Sequence, residues 1–169
     1  MVQEAKVEGG VPQGGGWFVV NARDSRWLYN ELGGYCPFEG GDEARFPQLG
    51  INLNVLPPGK PMTMYHGEAA PEAFLVLKGE CLLIVEGEER ALRAWDFFYC
   101  PPWTEHAIVG AGDGPSIVLA VGVRGEKGIR YPANDVAVKH AAGVERDTEA
   151  PQEAYAAFSV PKEGPAPEL

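Results

Sequence analysis

The chain reads as an all-β protein, and three features of its sequence predict that. Glycine and proline number 22 and 15 in 169 residues, which favours tight turns over long helices. From Ile51 to Val123, short apolar runs alternate with turn signals and leave little room for a helix. Within that stretch Ile51-Asn52-Leu53-Asn54-Val55 alternates strictly, the period of a half-buried strand. A succession of this kind predicts one sandwich or barrel domain.

Composition bounds the function. At 45% hydrophobic and 22% charged, the chain is ordinary for a globular protein and long enough to bury a core. Its formal net charge of -10 argues against nucleic acid, whose phosphates need Lys and Arg, and against anionic membrane surfaces. Cysteines are few and odd in number (Cys36, Cys81, Cys100), with no Cys-x-x-Cys, so a reducing compartment is expected. Neither a signal-peptide pattern nor an apolar run of roughly 20 residues is visible, so the expectation is cytoplasmic.

The elements follow in order. Residues 1–16, with Gly9-Gly10 and Gly14-Gly15-Gly16, read as a flexible tail. Residues 17–50 read as an N-terminal strand, Trp17-Phe18-Val19-Val20, and irregular wrapping. Within it Asn21 to Leu32 fits a short helix or an irregular edge equally well, and Gly33 to Gly50 reads as loop. The barrel core is 51–124. Phe74–Leu77 and Cys81–Val85 are short buried strands around Gly79, Glu86-Gly87-Glu88 is a hairpin turn, and Arg90 to Arg93 begins the return. Phe97–Cys100 ends at Pro101-Pro102, Ala107–Val109 continues past His106, and Ile117–Val123 closes the series. Residues 125–160 read as a C-terminal extension with short helices, one opened by Pro151, and 161–169 as a disordered tail.

The chemistry concentrates between Gly59 and His106. Two of only three histidines, His66 and His106, end short apolar runs, and Glu72 starts another. Met62, Met64 and His66 share one parity on an extended chain, so they share a face, with Tyr65 on the other. Two imidazoles and one carboxylate on neighbouring strands make a metal site with open positions, and buried, hydrogen-bonded histidines are the structural alternative.

These residues resemble the cupins, small barrels of the double-stranded β-helix (jelly-roll) type. The cupins' first motif is a glycine, His-x-His, a glutamate and a further glycine. Glu72 and Gly79 keep the glutamate-to-glycine spacing, His66 takes the second histidine, and Met64 stands at the first. In the second motif Pro101 and His106 fit. Trp95 and Trp103 stand where glycines are usual, and Gly110 where asparagine is. The resemblance implies an all-β cupin barrel with a short C-terminal helical segment and a metal held by His66, Glu72 and His106. Zn, Fe, Mn, Ni and Cu are all open as the one divalent ion. It also implies a small-molecule ligand and a homodimer paired through sheet edges.

Around the triad, Met64, Glu68 and Cys100 are candidates to join the ligands, with packing preferred for Met64 and Cys100 and a solvated loop for Glu68. Tyr99, Glu68 and Glu105 are the candidate acids or bases. Trp95 reads as packing, and Trp103 equally as packing or as a pocket wall. His140 lies in a polar stretch and reads as exposed. Two functions compete. One is a metalloenzyme performing oxygenation, isomerisation or decarboxylation of a small molecule. The other is a non-catalytic barrel that senses or stores a ligand or metal.

Overall fold

Strands dominate the computed structural model, which describes residues 1–169 with the exception of the Asp42 side chain. The N-terminal part holds β1 (Lys6–Glu8), β2 (Val11–Gln13), β3 (Trp27–Asn30) and β4 (Gly33–Pro37). The central part holds β5 (Leu49–Leu56), β6 (Gly67–Glu68), β7 (Glu72–Lys78), β8 (Glu80–Val85) and β9 (Glu88–Arg93). It continues through β10 (Phe97–Cys100), β11 (His106–Ala111) and β12 (Ser116–Val123). After β13 (Ile129–Arg130) come α1 (Asp135–Lys139), α2 (Pro151–Ala154) and β14 (Lys162–Gly164).

Two antiparallel sheets face each other. The larger runs β10-β7-β12-β5-β4-β3-β14 and the smaller β11-β8-β9. The alternation read in the sequence sorts side chains between two cores. Leu56, Phe74, Val76, Leu83, Ile108 and Val118 meet between the sheets. Leu53, Val55 and Ile117 face the other side of the large sheet and pack with Trp27 and Cys36. α1 covers the smaller sheet, where Tyr65 and Ala137 bury against Ile84, Ala107 and Val109.

Several N-terminal expectations are corrected. Residues 1–16 are not a loose tail: β1 and β2 form a hairpin, and Ala5 is buried. Trp17–Val20 forms no strand beyond a bridge from Trp17 to Glu4. Phe18 instead stacks on Phe46, with centroids 6.1 Å apart, and Val19 stays exposed. Asn21 caps a 3-10 turn, Ala22–Asp24, by accepting from the Arg23 amide. Part of the expected loop after Gly33 is β4, a strand inside the large sheet, and it buries Cys36. The 161–169 tail is ordered too, because β14 pairs with β3 and Ala166 and Leu169 pack on the Trp27 cluster.

Arg124 fastens the 38–46 segment to the end of β12. Its guanidinium donates to both Glu39 carboxylate oxygens and to the Phe46 carbonyl. Burial works to raise the Glu39 carboxyl, but Arg124 and the Phe46 amide outweigh it, so the net pKa is lowered. A depressed carboxyl contributes stability that is full above its unfolded pKa and is lost as pH falls through the folded value. Glu39→Gln is therefore expected to cost about 1–3 kcal/mol at pH 7. The gap should close on acidification below about pH 4, as read by urea unfolding across pH.

Both tryptophans that stand where the cupin motifs have glycine keep a glycine-like backbone, with φ of 75° at Trp95 and 67° at Trp103. Left-handed backbone costs an L-residue about 1–2 kcal/mol. Trp95 is 74% exposed, which corrects the packing role expected for it. Little burial offsets its strain. Trp95→Gly is thus expected to leave thermal stability unchanged or raise it by up to about 1 kcal/mol, measured by calorimetry. Gly110, at the asparagine position, has no room for a side chain: a Cβ there would sit 2.3 Å from the Pro57 carbonyl oxygen.

Candidate metal centre

Three strands deliver the triad. His66 lies just before β6, and its backbone exchanges two hydrogen bonds with His106, the first residue of β11 (3.1 and 2.8 Å). That pairing brings the imidazole centroids to 4.8 Å. Glu72 opens β7 between Cys100 of β10 and Gly122 of β12. One ligand atom from each of His66, Glu72 and His106 lies within 4.8 Å of the others. Glu72 Oε2 is 3.3 Å from His106 Nε2 and 3.6 Å from His66 Nε2.

The outward nitrogens fix the tautomers. His66 Nδ1 is 2.7 Å from the Met64 carbonyl oxygen, and His106 Nδ1 is 3.1 Å from that of Thr104. A carbonyl only accepts, so each neutral ring carries its proton on Nδ1 and turns a bare Nε2 lone pair inward. Glu72 Oε2 and His106 Nε2 are buried without a hydrogen-bond partner. Three acceptors therefore converge with no donor between them. A divalent metal ion satisfies all three at once, so the residues fit the group that the cupin resemblance implies.

The local electrostatics suit a pocket that receives positive charge. Burial opposes ionisation of Glu72, but the two imidazoles beside it, His106 ahead of His66, hold its carboxyl down to about 2. Burial also opposes protonation of His66, yet Glu72 and the Met64 carbonyl prevail and raise its pKa.

The neighbours divide into groups near the triad and groups turned away. Met64 is buried against Tyr131 and Ala154, and its carbonyl orients His66. Cys100 points inward, but its Sγ sits 3.2 Å from His106 Nδ1, the nitrogen turned away from Glu72. Burial, then the charges of Glu72 and Glu68, push that thiol up to about 12. Glu68 feels Glu72, His66 and His106, and burial ahead of these raises its carboxyl. Tyr99 is 56% exposed on the outer face. Glu105 is engaged by Arg130 at 2.9 Å and by the Tyr65 hydroxyl at 3.4 Å. Tyr65 accordingly buries outside the barrel interior. Trp103 is 45% exposed, with the Arg130 guanidinium 5.7 Å from its ring centroid. His140 is not free: its Nε2 lies 2.7 Å from Glu89 Oε1.

Sequence reasoning missed the aromatic lining. Phe74 and Phe98 set their rings 5.3 and 5.8 Å from that of His106, and Tyr131 sits 5.9 Å from His66. Phe98 shares the parity of Cys100, a signal available within its strand. Tyr131 arrives from the C-terminal extension through β13, whose pairing with β6 no local pattern announces.

Residues 52–122 match the family model for the cupin domain. That stretch, less than half of the chain, carries the two-sheet barrel and the triad, and it is similar to the cupin domain. A candidate sugar phosphate isomerase from Acidithiobacillus ferrooxidans is 27% identical, with a TM-score of 0.50, over 59% of this chain and 64% of that one. The cupin-superfamily sugar phosphate isomerase of Silicibacter pomeroyi is 25% identical, with a TM-score of 0.51, over 65% and 66%. The similarity thus spans less than two thirds of either relative. The polyketide cyclase RemF from Streptomyces resistomycificus shares the fold at 13% identity and a TM-score of 0.51, covering 59% of this chain and 70% of its own. No curated protein sequence matches the chain. No helix among the described residues is long and apolar enough to cross a membrane.

Proposed function

We propose that this chain holds one divalent metal ion through His66, Glu72 and His106 and acts on a small uncharged hydroxy-carbonyl compound, with isomerisation as the reaction. The observation that carries the reading is the convergence of three buried acceptor atoms with no donor among them. His66, Glu72 and His106 would hold the metal, which would supply Lewis-acid chemistry toward a substrate oxygen. Phe74 and Phe98 keep water from the His106 side, and Tyr131 backs His66. Glu68 of β6, two residues beyond His66, is the candidate to take and return a proton.

Similarity to the two sugar phosphate isomerases supports isomerisation, but the local charge disfavours their phosphorylated substrates. Glu68 adds a second carboxyl near Glu72, and Arg130 is already paired with Glu105. A phosphate needs an uncommitted cation or a nest of amides. The test is metal analysis of the purified protein, followed by aldose–ketose interconversion assays on free and phosphorylated sugars. One metal per chain with turnover of unphosphorylated sugars is expected. Stoichiometric metal with turnover only of the phosphorylated forms would overturn the substrate class, and absence of metal after incubation with Zn, Mn, Fe, Ni and Cu would overturn the site.

A second reading, binding without catalysis, draws on the enclosure of the triad. The His66 and His106 side chains are only 7% and 1% exposed. Stoichiometric metal with no turnover of any sugar, and a Glu68→Gln variant indistinguishable from wild type in ligand binding, would favour it.

A further inference from the structure

A cavity opens on the inter-sheet side of the large sheet, and none of the three ligands lines it. It encloses about 360 Å³ between β4, β5 and the segment that follows α2. Leu56, Met62 and Phe158 give it an apolar lining. Among its polar groups, Tyr35 of β4 pairs in register with Asn54 of β5, and both line the cavity; Tyr155 lines it too, but its hydroxyl already accepts from the Met64 amide at 3.1 Å. The Asn54 amide nitrogen reaches the Val118 carbonyl only at 3.5 Å, and its oxygen accepts no hydrogen bond among the described residues. The Tyr35 hydroxyl also makes none there. The outer wall is held in place, because Ser159 donates through its amide (3.0 Å) and its hydroxyl (2.9 Å) to Glu31. Asn30 ties the same residue by donating to its carbonyl at 3.3 Å.

We infer that this cavity is a binding site for a small, uncharged, ring-sized molecule that is mostly apolar and carries one hydroxyl or carbonyl group. The volume lies in the range of small-molecule pockets, and an apolar lining with a few convergent polar groups is their usual composition. Asn54 and Tyr35 offer one acceptor and one donor side by side, which suits a single hydroxyl. No cation lines the cavity, so a carboxylate or phosphate finds no partner in it. The inference stands without the metal reading, since the two sites share no residue.

The experiment is fluorescence titration of the metal-free full chain with 2-naphthol, and with naphthalene as the probe lacking the hydroxyl. Val160 edges the cavity and is 82% exposed, so Val160→Trp blocks the opening without disturbing the core. Saturable 2-naphthol binding is expected, weakened at least tenfold by Val160→Trp, with an unchanged melting curve showing that the variant is folded. Asn54→Leu should weaken 2-naphthol by about tenfold while leaving naphthalene unchanged. A His66→Ala/His106→Ala variant should bind both probes as wild type does. No saturation up to millimolar probe, equal binding by folded Val160→Trp, or loss of binding only in the histidine variant would each overturn the assignment.

Discussion

Metal-free Glu72→Gln is expected to melt no lower than the wild type at alkaline pH, and to gain nothing from added divalent metal. Both halves follow from the three converging acceptors. With neutral imidazoles, Glu72 faces two bare Nε2 lone pairs at 3.3 and 3.6 Å. An amide in its place supplies an N–H that they can accept, so a buried conflict becomes a hydrogen bond. The same change removes the only anionic ligand. Wild-type protein with metal at a hundredfold excess over its dissociation constant should gain about 2.7 kcal/mol, or roughly 5–11 °C for a chain of this size. The order reverses in acid. His66 has a raised pKa, so its attraction to Glu72 is fully present below its unfolded pKa of about 6.5 and fades as pH rises through the folded value. Wild type should therefore be the more stable metal-free protein near pH 6. Melting curves of both proteins at two pH values, with and without zinc, decide it. A metal-induced shift that survives in Glu72→Gln would place the ligands elsewhere.

Deleting residues 162–169 should lower stability by about 3 kcal/mol, the scale of one buried leucine plus several lost hydrogen bonds. That corresponds to a melting point roughly 6–12 °C lower. β14 is the outermost strand of the large sheet, the Tyr29 hydroxyl donates to the Pro165 carbonyl at 2.6 Å, and Ala166 and Leu169 pack on the Trp27 cluster. Trp27 itself is fully buried, so truncation uncovers a large aromatic surface. Calorimetry of the shortened chain measures the effect, and an unchanged melting point would show that the segment contributes nothing to the folded state.

Between Ile51 and Val123 the strands were legible because each carries its own period: apolar residues alternate or run briefly, and Gly or Pro stops them. The triad was legible for the same reason, since His66, Glu72 and His106 sit at strand ends that the punctuation marks. What escaped has no local signature. β14 reads Lys-Glu-Gly in a proline-rich stretch, and only its partner β3 makes it a strand. β4, with Gly33, Gly34 and Pro37, has the composition of a loop and is extended because β3 and β5 flank it. Trp17–Val20 has strand composition but no sheet edge to join, so tertiary context overrode propensity. Tyr131 approaches His66 because β13 meets β6, a pairing set by the fold rather than by nearby residues.

The contact between β3 and β14 also bears on the order in which the protein assembles. Tyr29 and Pro165 are 136 positions apart. Closing so long a loop carries a large entropic cost that only the finished sheet offsets, and topologies rich in such contacts fold slowly. During synthesis the strands from β5 to β12 can pair as soon as they emerge, whereas the Trp27 cluster waits for residues 162–169. In the interval the outer face of the large sheet is sticky and unfinished, which makes nascent and prematurely terminated chains the species most exposed to aggregation.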